Sequence, residues 1–361
     1  MEKSFVLGIE CTAHTLGFAV LEYETKKILI NIKDVFTTEK GGLIPNEVAK
    51  HHKELAPQLF EKALTDAKIT KEEIKLIALS NAPGLAPSLL EGMRFAKKIA
   101  KELEIPIVPV NHCIAHLEIG EITGAKDPVL LYASGANTQI VAFAPYDEGV
   151  PPKSEAGGKA GKYRIFGETL DVGVGNFIDT FARYAGLGFP GGPKVEQLAR
   201  VRPTGMTSVE ASKNGKKFVE LNYSVKGMDV AFSGILTKLK NMLDKKQETL
   251  EDLSFSLQET VFAMLVEASE RALAHTGKKE LLLGGGVACN SRLQEMCKIM
   301  CEERGCKFFC PERPLLVDNA AMIAYLGIKM FNAGIFVKPE DLDKLDIDPR
   351  ERTDDIEVTW K

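Results

Sequence analysis

The sequence predicts an α/β protein built from two related halves, each with its own mixed sheet. Apolar segments of strand length alternate with long amphipathic helical patterns along the chain. A strand, a small-residue turn and a second strand near the N-terminus return in the same order after residue 128. Of the 361 residues, 45% are hydrophobic and 27% are charged, which is the balance of a folded globular chain with enough apolar residues for two cores.

The first half alternates strands and helices in a clear order. Strand patterns cover residues 5–9, 16–22, 28–36 and 75–79, and helical patterns cover residues 45–68 and 87–103. Residues 105–110 form the next strand pattern, and Asn111 directly after it is a good helix N-cap. We therefore expect a helix that begins at His112.

The second half begins with an echo of the first. Residues 129–143 repeat the strand, turn and strand of residues 6–20, which an internal duplication would explain. Two such turns that face one another form a cleft whose backbone N–H groups can hold phosphates, as expected of the class that holds actin, sugar kinases and chaperone ATPases. The Gly- and Lys-rich stretch 147–163 indicates an extended hairpin loop or an insertion.

A later turn is a second candidate for nucleotide binding. A buried strand pattern over residues 281–283 runs into Gly284, Gly285 and Gly286, and a helical pattern that carries Asn290 follows. Glycines let a flat ring approach the backbone, which suits an adenine or a ribose. The alternative is a tight strand-to-helix connection without a ligand.

Two histidines carry much of the functional argument. His112 and His116 are four residues apart, a spacing that on a helix places both imidazoles on one face as a pair of metal ligands. The alternative is two helical histidines bonded to their neighbours. Asp318 precedes another helical pattern and is either its N-cap or a ligand of the same metal. Cys113 stands where a His-Glu-x-x-His protease needs its glutamate, which excludes that class.

Composition limits the remaining classes. The N-terminus lacks a basic segment with an apolar core, and no apolar run reaches membrane-spanning length, so we expect a cytoplasmic protein without a membrane partner. The seven cysteines are an odd number, and the cluster Cys297, Cys301, Cys306 and Cys310 lacks the paired spacing of a structural zinc site. With a net charge of -4, the chain would have to bind a polyanion through local patches, such as the lysine-dense segment after residue 212. A solvated surface is the alternative for that segment.

The ordered motifs along nearly the full chain resemble one protein family. They are Gly8-Ile-Glu-Cys-Thr-Ala-His-Thr, His51-His52, Ala82-Pro-Gly-Leu, Asn111-His-Cys-Ile-Ala-His, Tyr132-Ala-Ser-Gly-Ala-Asn-Thr-Gln, Gly167-Glu-Thr-Leu-Asp, Phe189-Pro-Gly-Gly-Pro, Lys226-Gly-Met-Asp, Phe232-Ser-Gly-Ile, Gly284-Gly-Gly-Val-Ala-Cys-Asn and Arg352-Thr-Asp-Asp-Ile-Glu-Val-Thr-Trp. Together they are similar to the TsaD and KEOPS catalytic-subunit family, the tRNA threonylcarbamoyladenosine transferases, in its archaeal and eukaryotic branch. The sequence departs from the family pattern at Cys11 and Asn46.

The resemblance implies a fold and a division into lobes. The fold is a two-lobed, actin-like one of the ASKHA class, which includes the sugar kinases, with duplicated mixed-sheet subdomains and a central nucleotide cleft. Residues 1–125 would form the N-terminal lobe, which the segment 326–361 completes. Residues 126–325 would form the C-terminal lobe with the glycine-rich insertion 147–163.

The resemblance also implies a set of site residues. The metal ligands fall on His112, His116, Tyr132 and Asp318, whose nitrogen and oxygen donors suit one divalent iron or zinc ion. The substrate positions fall on Tyr132, Ala133, Ser134, Gly135, Ala136, Asp179, Gly192, Glu196 and Asn290. For Asp179 and Glu196 a solvated helix face is the alternative. The residue patterns add Gly284–Gly286 as candidate adenylate contacts and Lys213, Lys216 and Lys217 as candidate tRNA contacts.

The activity implied is transfer of the threonylcarbamoyl group from threonylcarbamoyl-AMP to the adenosine adjacent to the anticodon, in tRNAs that read codons beginning with A. The metal would act as a Lewis acid, and no protein nucleophile is expected. The implied partners are tRNA and the other KEOPS subunits, namely a small kinase-like ATPase, a dimerising adaptor and further small subunits.

Two rival classes share parts of this pattern. A chaperone ATPase or sugar kinase of the same fold would need an acidic base near its phosphate turns, for which Glu10 is the candidate. A non-catalytic scaffold would tolerate loss of the metal ligands, which are intact here.

Overall fold

The computed structural model describes residues 4–37, 44–146, 160–200 and 217–361. Up to residue 146 the elements are β1 (Phe5–Glu10), β2 (Thr15–Glu22), β3 (Ile28–Val35), α1 (Pro45–Ala67), β4 (Ile74–Ala82), α2 (Ala86–Leu103), β5 (Ile107–Asn111), α3 (His112–Glu118), β6 (Val129–Ala133) and β7 (Thr138–Pro145). From residue 160 they are β8 (Gly161–Glu168), α4 (Val174–Tyr184), α5 (Gly192–Ala199), β9 (Val225–Lys226), β10 (Asp229–Val230), α6 (Ser233–Asp244), α7 (Leu250–Thr276), β11 (Glu280–Gly284), α8 (Ser291–Glu303), β12 (Lys307–Phe309), α9 (Arg313–Leu316), α10 (Ala320–Asn332) and β13 (Glu357–Val358). The predicted order of strands and helices in the first half is confirmed.

The chain divides into two compact units. Unit 1 contains residues 1–122, 143–164 and 312–361, and unit 2 contains residues 123–142 and 165–311. Residues 143–146, 160–164 and 312–325, which the family resemblance assigned to the second lobe, thus lie in unit 1, and the division into lobes stays a prediction. The second of these segments holds the start of β8, which pairs with β13 of the same unit. Of the predicted insertion 147–163, residues 147–159 lie outside the described residues.

The sheet of unit 1 has the strand order β3-β2-β1-β4-β5. β2 is antiparallel to β1 and β3, whereas β4 is parallel to β1 and β5. On one face of the sheet, Phe18 packs edge-to-face on Phe95, with ring centroids 5.6 Å apart. On the other face, a Cβ atom at Gly8 would lie 2.3 Å from the carbonyl oxygen of Ala320. Glycine in β1 thus lets α10 approach the sheet, and this places Asp318, just before α10, beside the strand ends.

The second sheet has the order β12-β11-β6-β7-β8-β13. Its strands β12-β11-β6-β7-β8 follow the same order as β5-β4-β1-β2-β3 in unit 1. The directions also correspond, because β6 is antiparallel to β7 and parallel to β11, which is parallel to β12. This shared order supports the internal duplication inferred from the sequence.

Candidate metal centre

A short helix holds the two histidines directly after a strand. β5 runs into α3 without a loop, and Asn111 is the N-cap between them. Its Oδ1 accepts hydrogen bonds from the backbone N–H groups of Cys113, at 3.0 Å, and Ile114, at 3.2 Å. His112 and His116 are both buried, and their ring centroids are 4.8 Å apart. The predicted start of the helix is confirmed, and the two imidazoles lie together.

A carboxylate from a distant part of the chain joins the two imidazoles. The Oδ1 atom of Asp318 lies 3.4 Å from His112 Nε2 and 3.5 Å from His116 Nε2. The N-cap of α10 is Asn319, whose Oδ1 accepts from the backbone N–H of Met322 at 3.0 Å. Asp318 is therefore not the helix cap that its local sequence allowed. Its side chain faces the histidines.

A second carboxylate lies behind His112. Glu10, at the end of β1, is fully buried, and its Oε2 is 2.9 Å from His112 Nδ1. Its Oε1 accepts from the backbone N–H of Thr12 at 2.8 Å and from the Thr12 hydroxyl at 2.5 Å. Because a carboxylate only accepts hydrogen bonds, it keeps an imidazole proton on Nδ1, so that Nε2, which faces Asp318, is the nitrogen that an entering metal ion can use. Glu10 therefore orients a histidine, and the sequence analysis, which considered it as a kinase-type base, missed this role.

Burial and charge together set the protonation of these groups. Burial lowers the pKa of His112, but the Glu10 and Asp318 carboxylates outweigh it, so that this pKa lies well above its usual range. Burial dominates at His116 and lowers its pKa. Burial alone would raise the pKa of Asp318, yet hydrogen bonds with the two histidines hold it well below its usual range. Asp318 is thus a carboxylate at neutral pH and offers negative charge to a cation.

The donor set fits a transition-metal ion. One ligand atom from each of His112, His116 and Asp318 lies within 4.8 Å of the others. Two ligand atoms that are each about 2.1 Å from a tetrahedral zinc ion are about 3.4 Å apart. The measured separations of the Nε2 atoms from Oδ1 are 3.4 and 3.5 Å. Among the described residues, no other three His, Cys, Asp or Glu side chains are arranged in this way. The clustered cysteines, which are all free, do not form such a group either.

The small-residue turn predicted to hold phosphate joins β6 to β7 in unit 2. The backbone N–H of Ser134 donates to the carbonyl oxygen of Asn137 at 2.9 Å and closes the turn. The carbonyl oxygens of Ser134 and Gly135 accept from the N–H groups of Gly175, at 3.0 Å, and Asn176, at 2.9 Å. These N–H groups of the first turn of α4 are therefore used within the protein. Phosphate binding by the turn, which also contains Ala136, stays a prediction.

The polar substrate positions of unit 2 also have protein partners. Asp179 on α4 accepts from the N–H of Gly191 at 2.7 Å and fixes the start of α5. Glu196 on α5 accepts from the backbone N–H of Ser291 at 3.1 Å and from its hydroxyl at 2.7 Å. Asn290 was predicted to lie within a helix, but it is the N-cap that precedes α8. These contacts join three helices, and the contacts proposed with the substrate stay predictions.

Gly285 and Gly192 in unit 2 differ in whether contacts within the protein require glycine. Gly285 has a φ of +91°, which favours glycine, and a Cβ atom there would lie 2.4 Å from the carbonyl oxygen of Ala133. The close approach to β6 therefore explains this glycine without a ligand. At Gly192, the first residue of α5, a Cβ atom would meet none of the described protein atoms within 4 Å. Contacts among the described residues therefore do not require glycine at that position.

Comparison with known proteins assigns the chain to a family. The family model of TsaD, tRNA N6-adenosine threonylcarbamoyltransferase, matches residues 26–325. The tRNA N6-adenosine threonylcarbamoyltransferase of Thermococcus kodakarensis is 49% identical over 354 residues, which are 98% of this chain and 99% of that relative. The chain belongs to this family. Another similar protein, the "Probable bifunctional tRNA threonylcarbamoyladenosine biosynthesis protein" of Methanosarcina mazei, is 45% identical over 364 residues, which cover 100% of this chain and 60% of that protein.

Solved structures agree with the fold expected of the TsaD family. T. kodakarensis HypF superposes with a TM-score of 0.55 at 15% identity, over 94% of this chain and 49% of HypF, so the chain spans about half of that protein. The activator of 2-hydroxyisocaproyl-CoA dehydratase from Clostridium difficile, solved with bound ADPNP, superposes with a TM-score of 0.50 at 11% identity, over 92% and 98% of the two chains. The predicted actin-like α/β fold class is confirmed.

Tyr132 and the three candidate tRNA-contacting lysines lie in unit 2 or outside the described residues. Tyr132 is buried on β6 in unit 2, where it pairs with Gln139 and Gly284, and its role as a metal ligand stays a prediction. Lys213 and Lys216 lie outside the described residues. Lys217 Nζ is 2.6 Å from Glu248 Oε1, a contact that also suits a solvated surface, so tRNA contact stays a prediction. Within the described ranges, no helix combines the length and apolar character needed to cross a bilayer.

Proposed function

We propose that the chain is a tRNA N6-adenosine threonylcarbamoyltransferase that uses threonylcarbamoyl-AMP. It would transfer the threonylcarbamoyl group to the exocyclic amine of the adenosine adjacent to the anticodon, in tRNAs that read codons beginning with A, and would release AMP. The observation that carries the proposal is the cluster of the buried His112 and His116 with the partly buried Asp318. It occurs in a chain that is 49% identical to the T. kodakarensis transferase over nearly its whole length.

The reaction joins a weak nucleophile to a carbonyl group that its own nitrogen makes less reactive. The exocyclic amine forms a C–N bond to the carbamoyl carbon and loses a proton, while the C–O bond to phosphate breaks and AMP leaves with its electron pair. AMP is a good leaving group, so no protein nucleophile is needed, and Cys113 beside the histidines is buried. When bound, a divalent iron or zinc ion would supply a Lewis acid that stabilises the negative charge developing on the acyl group.

The side chains of the cluster would hold the ion and control its surroundings. His112 and His116 offer nitrogen and Asp318 offers oxygen, and Tyr132 is the predicted fourth ligand. Glu10 holds a proton on Nδ1 of His112, so that Nε2 is available as a ligand atom.

We place this activity in a KEOPS-type complex in the cytoplasm, with a small kinase-like ATPase, a dimerising adaptor and further small subunits. Support comes from the bifunctional M. mazei relative. The match covers 60% of that protein, so that protein carries a further segment beside its transferase-like part. The net charge of -4 also favours shared tRNA binding, because this chain's overall field repels a polyanion.

The test combines metal analysis with a transfer assay. Protein purified without oxygen should contain about one metal ion per chain and transfer the group from threonylcarbamoyl-AMP to tRNA, with the partner subunits present. The double substitution His112→Ala with His116→Ala should abolish both, because it removes both nitrogen ligands. Asp318→Ala should weaken metal binding less completely. The matched control is His275→Ala, which changes an exposed histidine at the end of α7. A folded double variant that retains stoichiometric metal would disprove the assignment.

A further inference from the structure

A buried ion pair joins the last residue of the histidine helix to α10. Glu118 ends α3 and is fully buried, and its Oε2 is 2.5 Å from Lys329 Nζ. Its Oε1 accepts a hydrogen bond from the hydroxyl of Tyr163 and another from the indole N–H of Trp360, the latter at 3.2 Å. The three donors come from α10, from β8 and from the segment after β13, all within unit 1. The carboxylate is thus fixed from three directions.

A pair of this kind contributes little to stability. The cost of removing two charges from water roughly cancels their attraction, and replacing a buried ion pair with apolar side chains is often neutral or stabilising. What a fully bonded buried pair can supply is a fixed geometry. This pair therefore fixes the relative position of the two elements that Glu118 and Lys329 connect.

One of these elements is well anchored and the other is short. On α10, a Cβ atom at Gly327 would lie 2.3 Å from the Cβ of Ala78, so this helix is pressed against β4 of the sheet. α3 has only seven residues and is capped at its first turn by Asn111. Its other end is held by Glu118. Without that contact, α3 would keep its cap but lose its own charged link to α10, while Glu121, three residues further on, would still pair with Lys329 at 2.7 Å.

We propose that Glu118 and Lys329 are positioning residues that hold α3 against α10 at the separation that the metal centre requires. The two kinds of ligand belong to these two elements, because His112 and His116 lie on α3 and Asp318 lies two residues before α10. The separations of 3.4 and 3.5 Å between the Nε2 atoms and Oδ1 suit a tetrahedral ion, and a shift of α3 along α10 would change both. This inference rests on the proposed metal-dependent function.

The test is a Co²⁺ titration of the full chain, followed by visible absorption. In Glu118→Gln the amide oxygen can still accept from Tyr163, and Lys329 keeps Glu121 as a partner at 2.7 Å, so the fold should persist. We expect Glu118→Gln and Lys329→Met each to weaken Co²⁺ binding about tenfold, the size seen when a metal ligand loses its outer support. The absorption bands should also change, because they report ligand geometry. The Co²⁺ affinity of the double variant should be no lower than that of the single variant with the lower affinity, because the two residues act as one pair.

A second ion pair provides the matched control. In unit 2, Arg292 Nη2 is 2.8 Å from Glu259 Oε2. Glu259→Gln should lower the free energy of unfolding and leave Co²⁺ affinity and spectrum unchanged. Unaltered affinity and spectrum in both Glu118→Gln and Lys329→Met would overturn the positioning role alone. If the unsubstituted protein binds no Co²⁺, the proposed metal-dependent function fails, and the positioning role fails with it.

Discussion

Replacing Glu10 with glutamine should weaken metal binding by reversing the tautomer of His112. The carboxylate accepts from the Thr12 N–H at 2.8 Å and hydroxyl at 2.5 Å, both on Oε1, and faces His112 Nδ1 at 2.9 Å through Oε2. Glutamine has a single acceptor oxygen, so if Thr12 keeps it, an NH₂ group faces Nδ1. The imidazole can then accept at Nδ1 only by moving its proton to Nε2, which removes the lone pair that a metal needs. Loss of such an outer partner costs about 10- to 100-fold in affinity, or about 1.4 to 2.7 kcal/mol.

Two measurements check this prediction. Competition with a chromophoric chelator gives the Zn²⁺ affinity, and long-range ¹H–¹⁵N NMR on the metal-free protein, at a pH at which His112 is neutral, gives the tautomer of this ring. Ser80→Ala is the control, because it removes the acceptor of the Cys11 N–H, at 2.9 Å, in the neighbouring turn and leaves Glu10 in place. Its affinity should equal that of the unsubstituted protein. If Glu10→Gln retains both the affinity and the proton on Nδ1, the reasoning is refuted.

Three further predictions concern pH, the adenylate and tRNA. Zn²⁺ affinity should rise with pH above about 6.5, the usual pKa of histidine, because the pKa of His112 is raised and an entering ion must displace its proton; a pH-independent affinity in chelator competition would contradict this. Gly192→Ala should leave the free energy of unfolding unchanged but weaken binding of an adenylate analogue about tenfold in calorimetry, since a Cβ atom there meets none of the described protein atoms within 4 Å and would enter the space expected for the ligand; equal affinity would remove this glycine from the site. Neutralising Lys213, Lys216 and Lys217 together should lower the slope of log tRNA affinity against log salt by about 0.9 per lost phosphate contact; an unaltered slope, with and without partner proteins, would mean that tRNA binds elsewhere.

Local chemistry explains which parts of the metal centre could be predicted from the sequence. The Asn111 cap and the spacing of the histidines involve residues within about one helical turn, so standard helix rules predict them. For Asp318, local rules left both an N-cap and a metal ligand open, and the family resemblance favoured the ligand; Asn319 is the N-cap. The role of Glu10 was missed because its partner lies 102 residues further along the chain. A charged residue at the end of an otherwise apolar, fully buried strand was the available signal.

The compact units differ from the predicted lobes for a similar reason. β7 and β8 continue without interruption from one compact unit into the other, so hydrophobic periodicity marks no boundary within them. The return of residues 312–325 to unit 1 depends on α10 packing against β1, which is a contact between distant segments. Patterns within the sequence indicate where elements begin and end, whereas contacts between distant elements decide which unit they join.

The shared strand order of the two sheets has a consequence for the composition of the site. His112 follows β5 directly, and Asp318 comes nine residues after the end of the corresponding strand, β12, at Phe309. The nitrogen ligands and the carboxylate therefore follow corresponding strands of the two sheets, and each repeat of the strand order supplies a different kind of ligand. The chemistry of this protein thus depends on the differences between its halves, while its architecture preserves their likeness.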